Sequence, residues 1–240
     1  MDAVVDMLRW LLEPGTWTGP RGVLARSVEH LWISLVPLVA AMAVAIPAGV
    51  LSGHYRRGQA VGALVTNVGR AVPSLALLVF GLLLSVRVLG LGFSFWPIVF
   101  ALFFLALQPL FTNSYTAVRE AEPALVEAAR GQGLSEREVL LEVELPVASP
   151  VIMTAVRITA VQVVATAPLG ALAAGGGLGR FIIDGFGQND DGQMLGGVVL
   201  VAVFALLVEW SVTRLERRVI PRPLQGRTDA SAVAAAGRAA

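Results

Sequence analysis

Cysteine and lysine are both missing from this 240-residue chain. Without cysteine there can be no disulfide, thiolate metal site or cysteine nucleophile. Without lysine a phosphate-binding P-loop is excluded, because that loop ends in the lysine that reaches the phosphates. All eighteen basic residues are arginine, and any ATP-driven step must be carried by another polypeptide. Charge of either sign is scarce. Charged residues make up 15% of the chain against 56% hydrophobic ones, where a soluble domain carries about a quarter charged. The net charge of +1 gives no reason to expect nucleic-acid binding. The two histidines, His30 and His54, stand far apart with no recognisable nucleophile beside them. No catalytic constellation, metal-ligand set or cofactor motif is found, so the chain is not expected to be an enzyme by itself.

What the chain does have is long apolar runs, and these place it among multi-span membrane proteins. Five stretches approach or exceed the length that crosses about 30 Å of hydrocarbon at ~1.5 Å per residue. They run from about Leu31 to Gly53, Ala71 to Val86, Phe93 to Tyr115, Ala148 to Ala173, and Leu195 to Trp210 or slightly beyond. A weaker run from Val61 to Arg70, containing Asn67, lies at the interface or begins the second span. Pro37, Pro47, Pro97 and Pro109 fall inside the runs, and membrane helices tolerate them because neighbouring helices and waters re-satisfy the freed carbonyls. The fold class expected is therefore an all-α integral membrane protein with about five transmembrane helices.

Arginine placement orients these spans. Arg56 and Arg57 follow the first, and Arg214, Arg217, Arg218, Arg222 and Arg227 follow the fifth. With five spans both groups share one side, the cytoplasm, so the N-terminus is extracytoplasmic and the C-terminus cytoplasmic. Arg9, Arg21 and Arg26 argue mildly the other way. Residues 1–28 form an N-terminal segment without the basic start of a cleaved signal. Val4, Val5, Leu8, Leu11 and Leu12 recur there at helical spacing, with Trp10 and Trp17 nearby. The segment either lies along the outer membrane surface or packs on the bundle. Residues 29–220 form the membrane domain, and 221–240, rich in Ala, Ser and Gly, read as a disordered cytoplasmic tail.

Between the third and fourth spans lies a polar connection, about residues 119–146, with seven glutamates (Glu120, Glu122, Glu127, Glu136, Glu138, Glu142 and Glu144). Pro123 suits a first helical residue, and Leu125 to Ala129 continue a short helix. Gly131 and Gly133 permit a turn through left-handed backbone. Ser135 stands three residues before Glu138, the spacing of a capping box, so a second helix starts there, and Pro146 is expected to end it. The result is a compact knob, with Ala128 and Ala129 offering close approach to a partner and Glu127 a charge. An ordinary solvated connector would share the acidity but not this spacing.

The pattern Glu127-Ala128-Ala129, Gly133, then Val143, Leu145 and Pro146 resembles the coupling motif of ABC-importer permease subunits, with Val143 in place of the usual isoleucine. Pro73-Ser74-Leu75-Ala76-Leu77, Asn113-Ser114-Tyr115-Thr116, Glu122-Pro123-Ala124-Leu125, Pro150-Val151-Ile152-Met153 and Ala174-Gly175-Gly176-Gly177-Leu178-Gly179 resemble the permeases of glycine betaine, carnitine and choline importers. The resemblance runs from about His30 to Arg218. It implies a type I importer permease fold in the cell (inner) membrane and a second permease copy or paralogue as dimer partner. It also implies ABC ATPase subunits gripping the knob, and an extracytoplasmic substrate-binding protein delivering an osmoprotectant quaternary amine. Another cargo, such as an amino acid like methionine, fits the same motif. A secondary transporter needs coupling carboxylates at the bilayer midplane, and none of the five spans carries one in its central part (Glu209 lies near an end).

Further candidates carry less. Asn113 and Tyr115 could line a translocation path or hydrogen-bond between helices. Gly175, Gly176, Gly177 and Gly179 could form an outer gate or a docking turn for the binding protein. No strand precedes them and no lysine follows, so they do not bind phosphate. Asp184, Asp190 and Asp191 read as a solvated face beside them. Arg70 and Arg157 are expected to snorkel to the interface.

Overall fold

The structure is a computed structural model that describes residues 2–56, 64, 74–88, 90, 95–173 and 175–219. Among the described residues every regular element is helical. Helix α1 spans Asp2–Leu12, α2 Val23–His54 and α3 Ser74–Leu83, followed by a wide π-type turn at Leu84–Val88. Helix α4 spans Phe95–Arg119, α5 Pro123–Gly131, α6 Glu136–Ala173, α7 Gly179–Gln188 and α8 Asp191–Val219.

Helices α2, α4, α6 and α8 are long and apolar enough to cross a membrane. They correspond to the first, third, fourth and fifth apolar runs. Of the second run the described part is α3, 10 residues, and its wide turn, 5 residues, about 22 Å of rise. The segment before it, with Asn67, Arg70 and Pro73, lies outside the described residues, as do Arg57, Phe93, Ala174, Arg222, Arg227 and the tail 221–240. Pro109 and Pro150 sit inside continuous helices, as membrane helices allow. Val198, Val203, Leu206 and Trp210 of α8 are exposed, a surface that water would penalise and lipid tails accept.

Two compact units emerge. The first comprises Met1–Ala41, Gly69–Ala106 and Ala160–Glu209. Its core joins Val23, Leu178 and Phe181, with Trp10, Leu200, Val201 and Phe204 packed on it. Trp10 meets Phe181 edge-on at 5.1 Å and lies against Gly196, where a Cβ would fall 2.4 Å from the indole. Helix α1 is thus packed on α7 and α8 along one face, while Val4, Val5, Leu8 and Leu12 point outward. Of the two readings of the N-terminal segment, packing on neighbouring helices is the one this contact describes. His30 is buried, its Nε2 3.2 Å from the Val164 carbonyl and its ring edge-on to Phe204, a packed core histidine.

The second unit comprises Met42–Val68, Leu107–Thr159 and Trp210–Ala240. Val50, Ala117, Val118, Ala148 and Ile152 form its apolar core, with Ile46, Leu140 and Leu145 against it. Gly49 and Gly53 let α2 press on α4: a Cβ at Gly49 would lie 2.6 Å from the Phe111 carbonyl oxygen, and one at Gly53 2.7 Å from that of Tyr115. This four-residue spacing of small residues brings helix backbones close in membranes. Arg157 does not simply snorkel. Its guanidinium lies 3.4 Å from the buried carboxylate of Glu216, to which Thr154 also donates at 3.5 Å.

Candidate functional site

The knob belongs entirely to the second unit. Pro123 is the first residue of α5, where its missing N–H is one of the donors a helix start leaves unpaired anyway. Val126 and Ala129 on one face of α5 pack with Ala121 and Val139, and Leu134 and Val143 close the cluster. The opposite face carries Glu127 and Ala128, both exposed. The helix ends in a Schellman turn. The Leu134 N–H donates to the Ala129 carbonyl at 3.3 Å and the Gly133 N–H to that of Arg130 at 2.9 Å. Gly133 holds φ +88° with open space where a Cβ would stand. It is the backbone conformation, and not crowding, that calls for glycine. Gly131 is helical instead.

Ser135 caps the next helix as its spacing foretold. Its backbone N–H donates to Glu138 Oε2 at 2.7 Å, and the Glu138 N–H donates back to Ser135 Oγ at 3.4 Å. Arg130 donates from Nε and a terminal nitrogen to Glu136 at 3.0 and 2.9 Å. This pairing raises the guanidinium pKa above its usual value and ties the two helices across the glycine turn.

Pro146 does not end α6. Residues Val139–Glu144 form a wide π-type turn in which the Leu145 N–H reaches the Leu140 carbonyl, five residues back. Leu145–Thr166 then continues as α-helix, so Pro146 falls in the first turn of a fresh register, where its ring and missing donor are tolerated. A proline thus marks an adjustment inside the helix, a common site for such turns.

The expected coupling residues divide into two groups. Glu127, Ala128 and Gly133 lie on the exposed surface, available to a partner. Ala129 is buried in the knob's own core, and Val143, Leu145 and Pro146 are half-buried along the return helix. Asn113 and Tyr115 do not converge. Asn113 is exposed and donates to the Pro109 carbonyl at 2.8 Å, whereas Tyr115 stacks on Phe111 and accepts from Arg119 at 2.8 Å.

In the first unit the glycine-rich loop folds back on its own surroundings. Gly177, at φ +80°, donates its N–H to Glu29 Oε2 at 2.9 Å, and Arg26 donates to the same oxygen at 2.8 Å. A Cβ at Gly175, Gly176 or Gly179 would meet Gly170, Glu29 or Pro168 at 2.5–2.6 Å. Beside the loop opens a polar cavity of about 520 Å³ lined by Arg21, Arg26, Glu29, Gly175, Gly176, Arg180 and Asp184, in which Arg180 pairs with Asp184 at 2.6 Å. Sequence reading missed Glu29 as the anchor of this loop, since the partners lie 148 residues apart. Among the described residues no group of three or more acidic or histidine side chains is placed to hold a metal ion.

Comparison with known proteins places these features. Residues 45–221 match the family described as binding-protein-dependent transport system inner membrane component. The glycine betaine/carnitine/choline transport system permease protein OpuCB of Bacillus subtilis (strain 168) is 32% identical over 209 residues, covering 87% of this chain and 94% of its own. The carnitine transport permease protein OpuCB of Listeria monocytogenes is 34% identical over 225 residues, covering 94% and 97%. A chain of the MetNI methionine ABC transporter in an inward-facing conformation shares the fold, with a TM-score of 0.73 at 26% identity over 83% of this chain and 97% of that one.

Proposed function

The chain belongs to the binding-protein-dependent transport system inner membrane component family, and from that premise we propose how it works and what it carries. It is an integral inner-membrane permease subunit of an ABC importer, and ATP hydrolysis falls to separate ATPase subunits. A second copy or paralogue completes the pathway, and an extracytoplasmic binding protein delivers the solute. The N-terminus lies outside and the knob and C-terminus inside, as the arginine clusters direct.

The proposed coupling surface is the exposed face of α5 with its glycine turn. ATP binding closes the ATPase dimer and carries the knobs with it. The long helices then swing from inward- to outward-facing, and hydrolysis returns them. The single observation that carries this reading is the build of the knob itself: a helix whose inner face is sealed by its own core, leaving Glu127, Ala128 and Gly133 presented between two apolar helices. The cargo proposed is a quaternary amine osmoprotectant of the glycine betaine, choline or carnitine type. It follows the two relatives at 32% and 34% identity over nearly their whole length ahead of the methionine transporter at 26%.

Uptake of radiolabelled glycine betaine tests both parts. The permease is expressed with its ATPase and binding protein in a transport-deficient bacterium, with and without Gly133→Asp. Uptake abolished by the substitution, with the complex still assembled, is the expected result. Uptake of methionine in place of any quaternary amine would overturn the cargo, and full uptake by Gly133→Asp would overturn the coupling role.

A further inference from the structure

His54 is the last residue of α2, and its side chain is only 2% exposed. Its Nδ1 lies 2.6 Å from Glu144 Oε2, and Glu144 is itself 6% exposed. A contact this short and this buried is a charge-assisted hydrogen bond of the stronger kind. On the other side of the ring, Nε2 faces Glu136 Oε2 at 3.4 Å, and Glu136 is the carboxylate that Arg130 grips with two nitrogens. Four side chains therefore run Arg130, Glu136, His54, Glu144, joining α5, α6 and the end of α2. Tyr55, edge-on to the ring at 4.8 Å, completes its surroundings.

The run has a loose end and a firm end. Arg130 and Glu136 are 43% and 56% exposed, so water screens their pairing. His54 and Glu144 are buried, where directional bonds hold strictly and an abandoned partner is heavily penalised. Apolar contacts between Val50, Ala148 and Ile152 permit sliding. The hydrogen bond between His54 and Glu144 does not, because a shift of one ångström breaks it.

We propose that His54 is a positioning residue for energy coupling. It fixes the start of α6, against which α5 packs through Val126, Ala129 and Val139, to the end of the first long helix, so that a displacement of the knob is passed to α2. The inference rests on the reading of α5 as the ATPase-facing element. It assigns His54 a role that neither the coupling motif nor the translocation path includes.

The test uses the complete complex of permease, ATPase and binding protein in proteoliposomes, measuring ATP hydrolysed per solute moved. His54→Ala and Glu144→Gln should each leave the ATPase bound and hydrolysing but raise that ratio about fivefold or more, in line with couplings measured between contacting residues. The double variant His54→Gln with Glu144→Gln, which can rebuild an amide hydrogen bond, should recover part of the loss. An unchanged ratio in His54→Ala overturns the proposal, as do single effects that multiply in the double variant. If His54→Ala fails to assemble, His54→Gln alone carries the test; its failure to assemble would make the residue merely structural and overturn the proposal. Amide exchange across residues 123–139 in the same complexes does not depend on cargo. Faster exchange in the His54 variants supports the joint even where the wild type moves no glycine betaine, a result that sinks the cargo reading alone. Unchanged exchange overturns the joint.

Discussion

Replacing Gly133 separates backbone conformation from bulk. The residue holds φ +88°, and nothing lies within 4 Å of where a Cβ would be, so alanine there meets no clash. Its penalty is the left-handed backbone, roughly 1–2 kcal/mol for an ordinary L residue. The stiffer unfolded chain of the alanine variant offsets about 0.4–1 kcal/mol of that. Roughly 1 kcal/mol remains against the turn, about a fivefold rise in its open population. Two hydrogen bonds report on opening: Leu134 N–H to the Ala129 carbonyl, and Gly133 N–H to that of Arg130. Amide exchange of residues 130–139 in the purified complex should quicken about fivefold in Gly133→Ala. It should quicken less in Gly133→Asn, because asparagine tolerates this region. If asparagine proves as disruptive as alanine or more so, side-chain size is what matters and the backbone argument fails.

Other substitutions test the neighbouring packing. Ser135→Ala removes the capping box and should lower the stability of the knob by about 0.5–2 kcal/mol, seen as faster exchange confined to the start of α6. Gly49→Val drives a side chain onto the Phe111 carbonyl and should destabilise the bundle by about 1–3 kcal/mol, read as a lower thermal midpoint in detergent; an unchanged midpoint would mean that α2 and α4 are not in that contact. Arg157→Leu strands the buried Glu216 carboxylate, whereas Glu216→Gln leaves a half-buried arginine that can reach water. Arg157→Leu should therefore be the more destabilising of the two, by an amount approaching the ~3–5 kcal/mol of a broken buried pair, and the reverse order would refute the pairing.

The knob was legible in the sequence because its signals are local. Pro123, Gly133, Ser135 and Glu138 each set backbone geometry within a few residues of themselves, and the helix, Schellman turn and capping box follow. What was illegible depends on distant partners. His54 finds Glu144 across 90 residues, and Arg157 finds Glu216 from another helix; nothing in one chain's order announces such meetings. Ala129 was expected to admit a partner, but which face of α5 turns inward is settled by Leu134 from the turn and Val139 from the next helix. Pro146 was expected to stop a helix, a sound local rule that a wide turn upstream circumvents.

That wide turn also changes how residues should be counted along α6. In an unbroken α-helix each residue turns about 100°, so two positions eight apart differ by ~80° around the axis. Absorbing one extra residue makes Glu136 and Glu144 equivalent to positions seven apart, nearly in line on one face. Both carboxylates reach His54 for that reason. Deleting a single residue between Val139 and Val143, ordinarily the mildest change of length, would keep Glu136 and Glu144 seven positions apart and still in line. Its cost would fall on Pro146 instead, because the restored regular helix sets the Pro146 ring against the carbonyl one turn back.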